Sequence, residues 1–273
     1  MPAHQSHTAS PPVELEICGY SVRQTLTPGQ SYLAADSSGR RVVLKKMDPD
    51  CLLGGDLHPS IRERLQRVRE LPHGGVANLH GVGRQGNDAW LIWEFVEGQS
   101  FGQYIAAPQR TPRELAALAR ELVVCIDSLH LQGLVHGAIR GGNVIVTAVG
   151  SVRLTHLSPL LYTETGVDIE AALELLQMAG QCDTEEGSHL GLLVAEARQQ
   201  GIGLREIAAR LGAMLEARQR VERISSSDDR KVRRRMLAAA LFVAIIGLAV
   251  SYGIWRVVTA PSQSSTPQSH QPP

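Results

Sequence analysis

Met236 to Trp255 is a run of twenty residues without a single charge. No other feature restricts so sharply what this chain can fold into. At about 1.5 Å rise per residue, a helix of that length spans about 30 Å, the thickness of a bilayer's hydrocarbon core. A helix packed in a globular core keeps a polar face, and this run has none. Arg230, Lys231, Arg233, Arg234 and Arg235 precede it, while only Arg256 follows closely. The positive-inside rule therefore predicts that residues 1–235 face the cytoplasm. Tyr252 and Trp255 fall at the far interface, where aromatic side chains collect. The expectation is a basic juxtamembrane linker at 225–235, one transmembrane helix at 236–258, and a short disordered tail outside at 259–273. A single crossing with so small an outer tail is an anchor, not a channel or a transporter.

The rest of the composition mostly excludes. Lys plus Arg and Asp plus Glu both number 27, so the formal net charge is zero. Nothing global favours nucleic acid as a partner, and none is expected. Arg62, Arg64, Arg67 and Arg69 recur at helical spacing with Glu63 and Glu70 between them, which reads as a solvated helix face. The cysteines Cys18, Cys51, Cys125 and Cys182 are scattered, with no C-x-x-C pair. That gives neither a zinc site nor a redox motif and suits a reducing compartment. Residues 1–16 are polar, contain Pro11-Pro12 and lack an apolar h-region. They read as a disordered tail rather than a signal peptide.

Between these ends the pattern changes character once. Tyr20–Leu26, Ser31–Ala35 and Arg41–Met47 read as strands, followed by a helix over Ser60–Leu71 and strands over Val76–Val82 and Ala89–Phe95. From Thr111 the chain reads as mainly helical. Thr111-Pro112-Arg113-Glu114 has the form of a capping box with Pro at the first helical position, and the helix it opens ends near Gly133. Short strands at 143–147 and 151–155 flank Gly150, and helices follow near 167–179, 189–200 and 203–223.

Within this frame, residues 136–146 read His136-Gly137-Ala138-Ile139-Arg140-Gly141-Gly142-Asn143-Val144-Ile145-Val146. The stretch resembles the catalytic loop of the protein kinase family, H-R-D-L-x-x-x-N followed by an apolar strand. The passage into it, Ser128 to His136, is similar to the family's as well. Val42-Val43-Leu44-Lys45 resembles the V-A-I-K strand, so the resemblance makes Lys45 the phosphate-pairing lysine and Glu63 its ion-pair partner. Trp90 to Gly98 resembles the strand and hinge at the adenine pocket, with Trp93 as a bulky gatekeeper. Asp168 corresponds to the Asp that holds the catalytic loop from below. The resemblance implies an α+β, bilobal protein kinase-like fold over 17–224, with a β-rich lobe at about 17–97 and a reduced helical lobe at about 98–224.

The departures concern chemistry. Ala138 stands where the family has the Asp that takes the substrate hydroxyl's proton, and a methyl group accepts none. General-base action contributes about 10²–10⁴ in rate. His156 stands at the metal-binding Asp, although magnesium wants hard oxygen ligands, so no metal site is expected. The phosphate-covering turn, Thr25 to Ser31, has one glycine, and Pro28 removes an N–H donor. Only twelve positions separate His156 from Asp168, too few for an activation segment and a peptide-docking platform.

The expectation is thus a pseudokinase of the bacterial serine/threonine kinase type, with no catalytic residue, anchored in a membrane. It would act as a regulatory or scaffolding module toward a cytoplasmic or membrane signalling protein, such as an active kinase. Lys45, Glu63, Arg140 and Asn143 would form a vestigial nucleotide site that takes ATP without magnesium, with His156 adding attraction as it protonates near pH 6.5. One rival is an active serine/threonine kinase in which Glu164, Asp168 or another carboxylate supplies the base and the metal ligand. The other is a membrane-tethered interaction module without nucleotide.

Overall fold

The computed structural model describes residues 15–220, except 73, 109, 182–186 and 218. The disordered tails, the basic linker and the transmembrane helix expected above lie outside these residues, apart from the last two positions of the N-terminal tail. Among the described residues no helix is long and apolar enough to cross a membrane. The fold below is that of the unit ending at Leu215.

The first lobe is an antiparallel sheet with one helix. Its strands are β1 (Glu16–Ile17), β2 (Tyr20–Thr27), β3 (Ser31–Ala35) and β4 (Arg41–Lys46). A small hairpin, β5 (Leu52–Leu53) and β6 (Asp56–Leu57), leads into helix α1 (Pro59–Arg69). Then come β7 (Leu79–Gln85) and β8 (Asp88–Glu94), giving the order β1-β2-β3-β4-β8-β7. The register sets Lys45 of β4 between Ser31 and Leu91, and Val43 opposite Trp93. Apolar residues alternate toward two layers. Ala34, Val42, Leu44 and Ile92 close one side, and Val43, Leu91 and Trp93 pack on α1 through Ile61, Leu65 and Val68. Residues 76–78, expected as strand, do not join β7. Val76 makes a lone parallel bridge to Leu154, so the chain there ties the two lobes together.

The second lobe opens with β9 (Gln99–Ser100) and a short helix, α2 (Phe101–Ala106), whose capping box pairs Ser100 with Gln103. The expected box at Thr111 and Glu114 caps α3 (Pro112–Leu131), with Pro112 at its start. The strands β10 (Val144–Val146) and β11 (Val152–Leu154) form a ribbon, and β10 also pairs with β9. Helices α4 (Gly166–Gln181) and α5 (Gly187–Gln200) and a further helical stretch over 204–215 complete it. Leu122, Val123 and Ile126 of α3 meet Leu173 and Leu176 of α4 in a core that excludes water. This core carries the loop 136–143 on its upper edge, facing the sheet.

Candidate functional site

The loop at 136–143 is held from beneath by a single carboxylate. Asp168, in the first turn of α4 and fully buried, accepts from His136 N at 2.6 Å and Gly137 N at 2.8 Å. His130 Nε2, at the end of α3, donates to it at 2.9 Å. Burial alone raises the carboxyl's pKa, but these three donors outweigh it and hold Asp168 below the usual carboxylate range. His136 is also buried, and its Nδ1 accepts from Ala138 N at 3.3 Å. Burial, with repulsion from Lys45, pushes His136 down to about 4 despite the nearby Asp168. Asn143 closes the loop, its Nδ2 donating to Ala138 O at 2.7 Å. The resemblance placed Asn143 among nucleotide-site residues; its side chain is committed largely to the loop's own backbone.

Above the loop lies a cleft of about 430 Å³ between the lobes. Leu26 and Val43 line it from the sheet side, Ile145 from the other, and Glu94 to Val96 along its edge. Lys45, Arg140, Asn143 and His156 line the end next to the loop. Trp93 does not block it, being wholly buried in the core beneath the sheet.

Lys45 lacks the partner expected for it. Glu63 is exposed, and no ion pair joins Glu63 and Lys45 among the described residues. The reason is helical geometry: Ile61, Leu65 and Val68 fix the inward face of α1, and position 64, not 63, falls on that face. Arg64 therefore points inward, and only 5% of its surface is exposed. Its Nε donates to Ser158 O at 3.0 Å and its Nη2 to Val135 O. One turn later, Arg67 Nη2 donates to Gln132 O at 2.7 Å and to Gly133 O at 3.2 Å. The arginine run is thus not a wholly solvated face. Two of its members clamp α1 to the backbone around the loop.

Burial lowers the pKa of Lys45, and Arg140 across the cleft lowers it further. His156 sits in a left-handed backbone conformation (φ 60°), with Nδ1 3.4 Å from Asn143 Oδ1. Burial and the cations Lys45 and Arg140, with His136, push it down to about 3. The imidazole therefore stays neutral between pH 8 and 6, and the expected gain in anion attraction over that range is absent. Among the described residues the only carboxylate lining the cleft is Glu94, whose Oε2 is taken by Asn78 and, at 2.8 Å, by Arg153 Nη2. Among the described residues no group of three His, Cys, Asp or Glu side chains converges as a metal site. A magnesium ion does not fit this donor set.

The turn over the cleft offers little to a phosphate. Gly29 N donates to the Tyr32 hydroxyl at 3.1 Å and Gln30 N to Thr27 O at 3.0 Å. On the far side of the loop, Gly137 has φ 68°, and a Cβ there would fall inside the Tyr162 ring. The short segment after His156 thus covers the loop where the family's substrate side would be. Ser158 N donates to His136 O at 2.8 Å, and Leu157 is buried in the core under α1, which fixes this segment. Arg64 and Tyr162 were missed from sequence. For Arg64 a signal existed, since it shares the spacing of Ile61, Leu65 and Val68.

These features are those of a protein kinase domain. Residues 23–161 match the protein tyrosine and serine/threonine kinase family, and the chain belongs to it. It is 25% identical over 119 residues to the human serine/threonine-protein kinase PAK 4, covering 44% of this chain and 20% of that protein. It is 26% identical over 134 residues to the serine/threonine-protein kinase PknA of Mycobacterium tuberculosis, covering 46% and 31%. The match therefore spans less than a third of either relative. In fold it is similar to the kinase domain of Mycobacterium tuberculosis PknI, solved as double mutants. One has a TM-score of 0.55 and 18% identity, covering 73% of this chain and 97% of that domain. Another has a TM-score of 0.53 and 19% identity, covering 76% and 100%.

Proposed function

We propose that this chain is a membrane-anchored pseudokinase, a regulatory or scaffolding protein that binds through its cytoplasmic kinase-like domain and transfers no phosphate. The observation that carries this is the chemistry of the cleft. A methyl group occupies the base position at Ala138, a neutral imidazole the metal position at His156, and Glu94 is engaged through Oε2 by Arg153 and Asn78. Phosphoryl transfer depends on positioning and on neutralising charge, and both supports are gone. The active-kinase rival loses its candidates: Asp168 is buried under the loop with three donors, and Glu164 is exposed and does not line the cleft. A shortened segment under Tyr162 leaves no platform for a peptide, which favours a partner that docks on the outer surfaces of the lobes. An active kinase at the membrane is the partner class this suits. The anchor rests on the uncharged run 236–255 and the arginines before it.

Incubation of the full chain in detergent with radiolabelled ATP and magnesium should label neither the chain nor a generic acceptor protein. Labelling that disappears in Lys45→Met would defeat this reading. For the anchor, a reporter fused after Pro273 should be active only outside the cytoplasm.

A further inference from the structure

The cleft disagrees with the magnesium nucleotide its fold implies, and the disagreement has a direction. Lys45 and Arg140 both line it, and among the described residues neither side chain has a hydrogen bond or an ion pair, their bonds being those of the backbone. Each acts on the other as a like charge. Like charges held together without a counter-charge are costly, and an anion between them removes that cost. Among the described residues the carboxylate that lines the cleft is Glu94, and its Oε2 is already engaged by Asn78 and Arg153.

We propose that the cleft binds a nucleoside polyphosphate as the free, metal-uncomplexed anion, with Lys45 and Arg140 standing where magnesium would. This rests on the reading that the cleft has left catalysis. The phosphates are met by side chains, because the N–H groups of Gly29 and Gln30 are spent inside their own turn. A lysine ammonium and an arginine fork are suited to that role. The nucleoside end is met by Leu26, Val43 and Ile145, in a space that Trp93 leaves open. A cleft of about 430 Å³ lies within the size range of small-molecule sites. Magnesium on the phosphates removes two of the negative charges that draw the ligand in. It also brings waters and an octahedral demand that no carboxylate here meets. Magnesium therefore competes with the two cations instead of joining them.

The test is calorimetric titration of the full chain in detergent. ATP is added with EDTA, then with saturating magnesium; inorganic tripolyphosphate and adenosine are added separately. ATP should bind in EDTA and lose about fivefold or more in affinity with magnesium. Lys45→Met and Arg140→Gln should each weaken it by about tenfold or more, the loss expected for a hydrogen bond to a charged group. Arg140 is exposed, so its variant keeps the fold and the test stands if Lys45→Met misfolds. Tripolyphosphate binding as tightly as ATP would overturn the nucleoside half, and adenosine binding as tightly would overturn the charge half. Magnesium-enhanced binding, or none at millimolar ATP in EDTA, would overturn the whole. Absence of binding without phosphate transfer leaves the pseudokinase reading standing, so the two fail separately.

Discussion

The floor of the loop and the cleft above it share a few residues of chain and are built on opposite terms. On the floor the two buried charged groups are matched: Asp168 takes three donors, and Arg64 forks between two carbonyls, while the buried His136 Nε2 has no partner among the described residues. In the cleft Lys45 and Arg140 repel each other with no ion-pair partner among the described residues, and His156 is held neutral. The contrast separates two duties that the kinase fold usually runs together. Groups that hold the loop must be satisfied, because a buried orphan costs about 1–3 kcal/mol. Groups that face the cleft are freer to change, because the fold depends on them less.

If that division is right, substitutions on the two sides move stability unequally and even in opposite directions. The largest effect belongs to Asp168→Asn. The amide keeps one acceptor oxygen and turns the other into a donor facing donors, so the chain should lose about 2–4 kcal/mol. That corresponds to roughly 5–15 °C in Tm for a domain of this size. Tryptophan fluorescence of the full chain during heating reads it, and a loss under about 1 kcal/mol would break the comparison. Next is Arg64→Met, which keeps the apolar stem but leaves Val135 O and Ser158 O without this donor. It should cost about 1–3 kcal/mol in the same measurement. Smallest is Lys45→Met, with the reverse sign. Removing an unpaired, half-buried cation near Arg140 should leave stability unchanged or raise it by up to about 1 kcal/mol without ligand. A clear loss there would mean that Lys45 has a structural partner after all.

Much of this molecule was legible in residue order. The strands at 20–27, 31–35, 41–46 and 88–94, the capping box at Thr111 and the loop 136–146 appeared with nearly their final bounds, whereas the strand expected at 76–82 runs Leu79–Gln85. They are set by local signals: alternation, capping chemistry and turn residues. Short elements with few residues to carry a period were not legible, such as α2 and the β5–β6 hairpin. At the site, Lys45, Arg140, Asn143 and His156 line one cleft. Glu63 does not. Its neighbour Arg64 looked like one more surface arginine, although a count of the apolar spacing in α1 places it inward.

Residue order settles which side chains stand at the loop, because a methyl at 138 and an imidazole at 156 are facts of composition at a position. It also settles where strands and helices can form, because those follow from neighbours along the chain. Which distant groups those side chains meet was decided only in three dimensions. Arg64 reaches carbonyls 71 and 94 positions away, and Tyr162 comes to lie on Gly137. Which carbonyls Arg64 reaches, once the apolar spacing has turned it inward, depends on how α1 is rotated against β7 and β8. Whether Lys45 finds a counter-charge depends on that same rotation. Such pairings join residues far apart in sequence through burial, and the free energy that selects them exists only once both sides are packed.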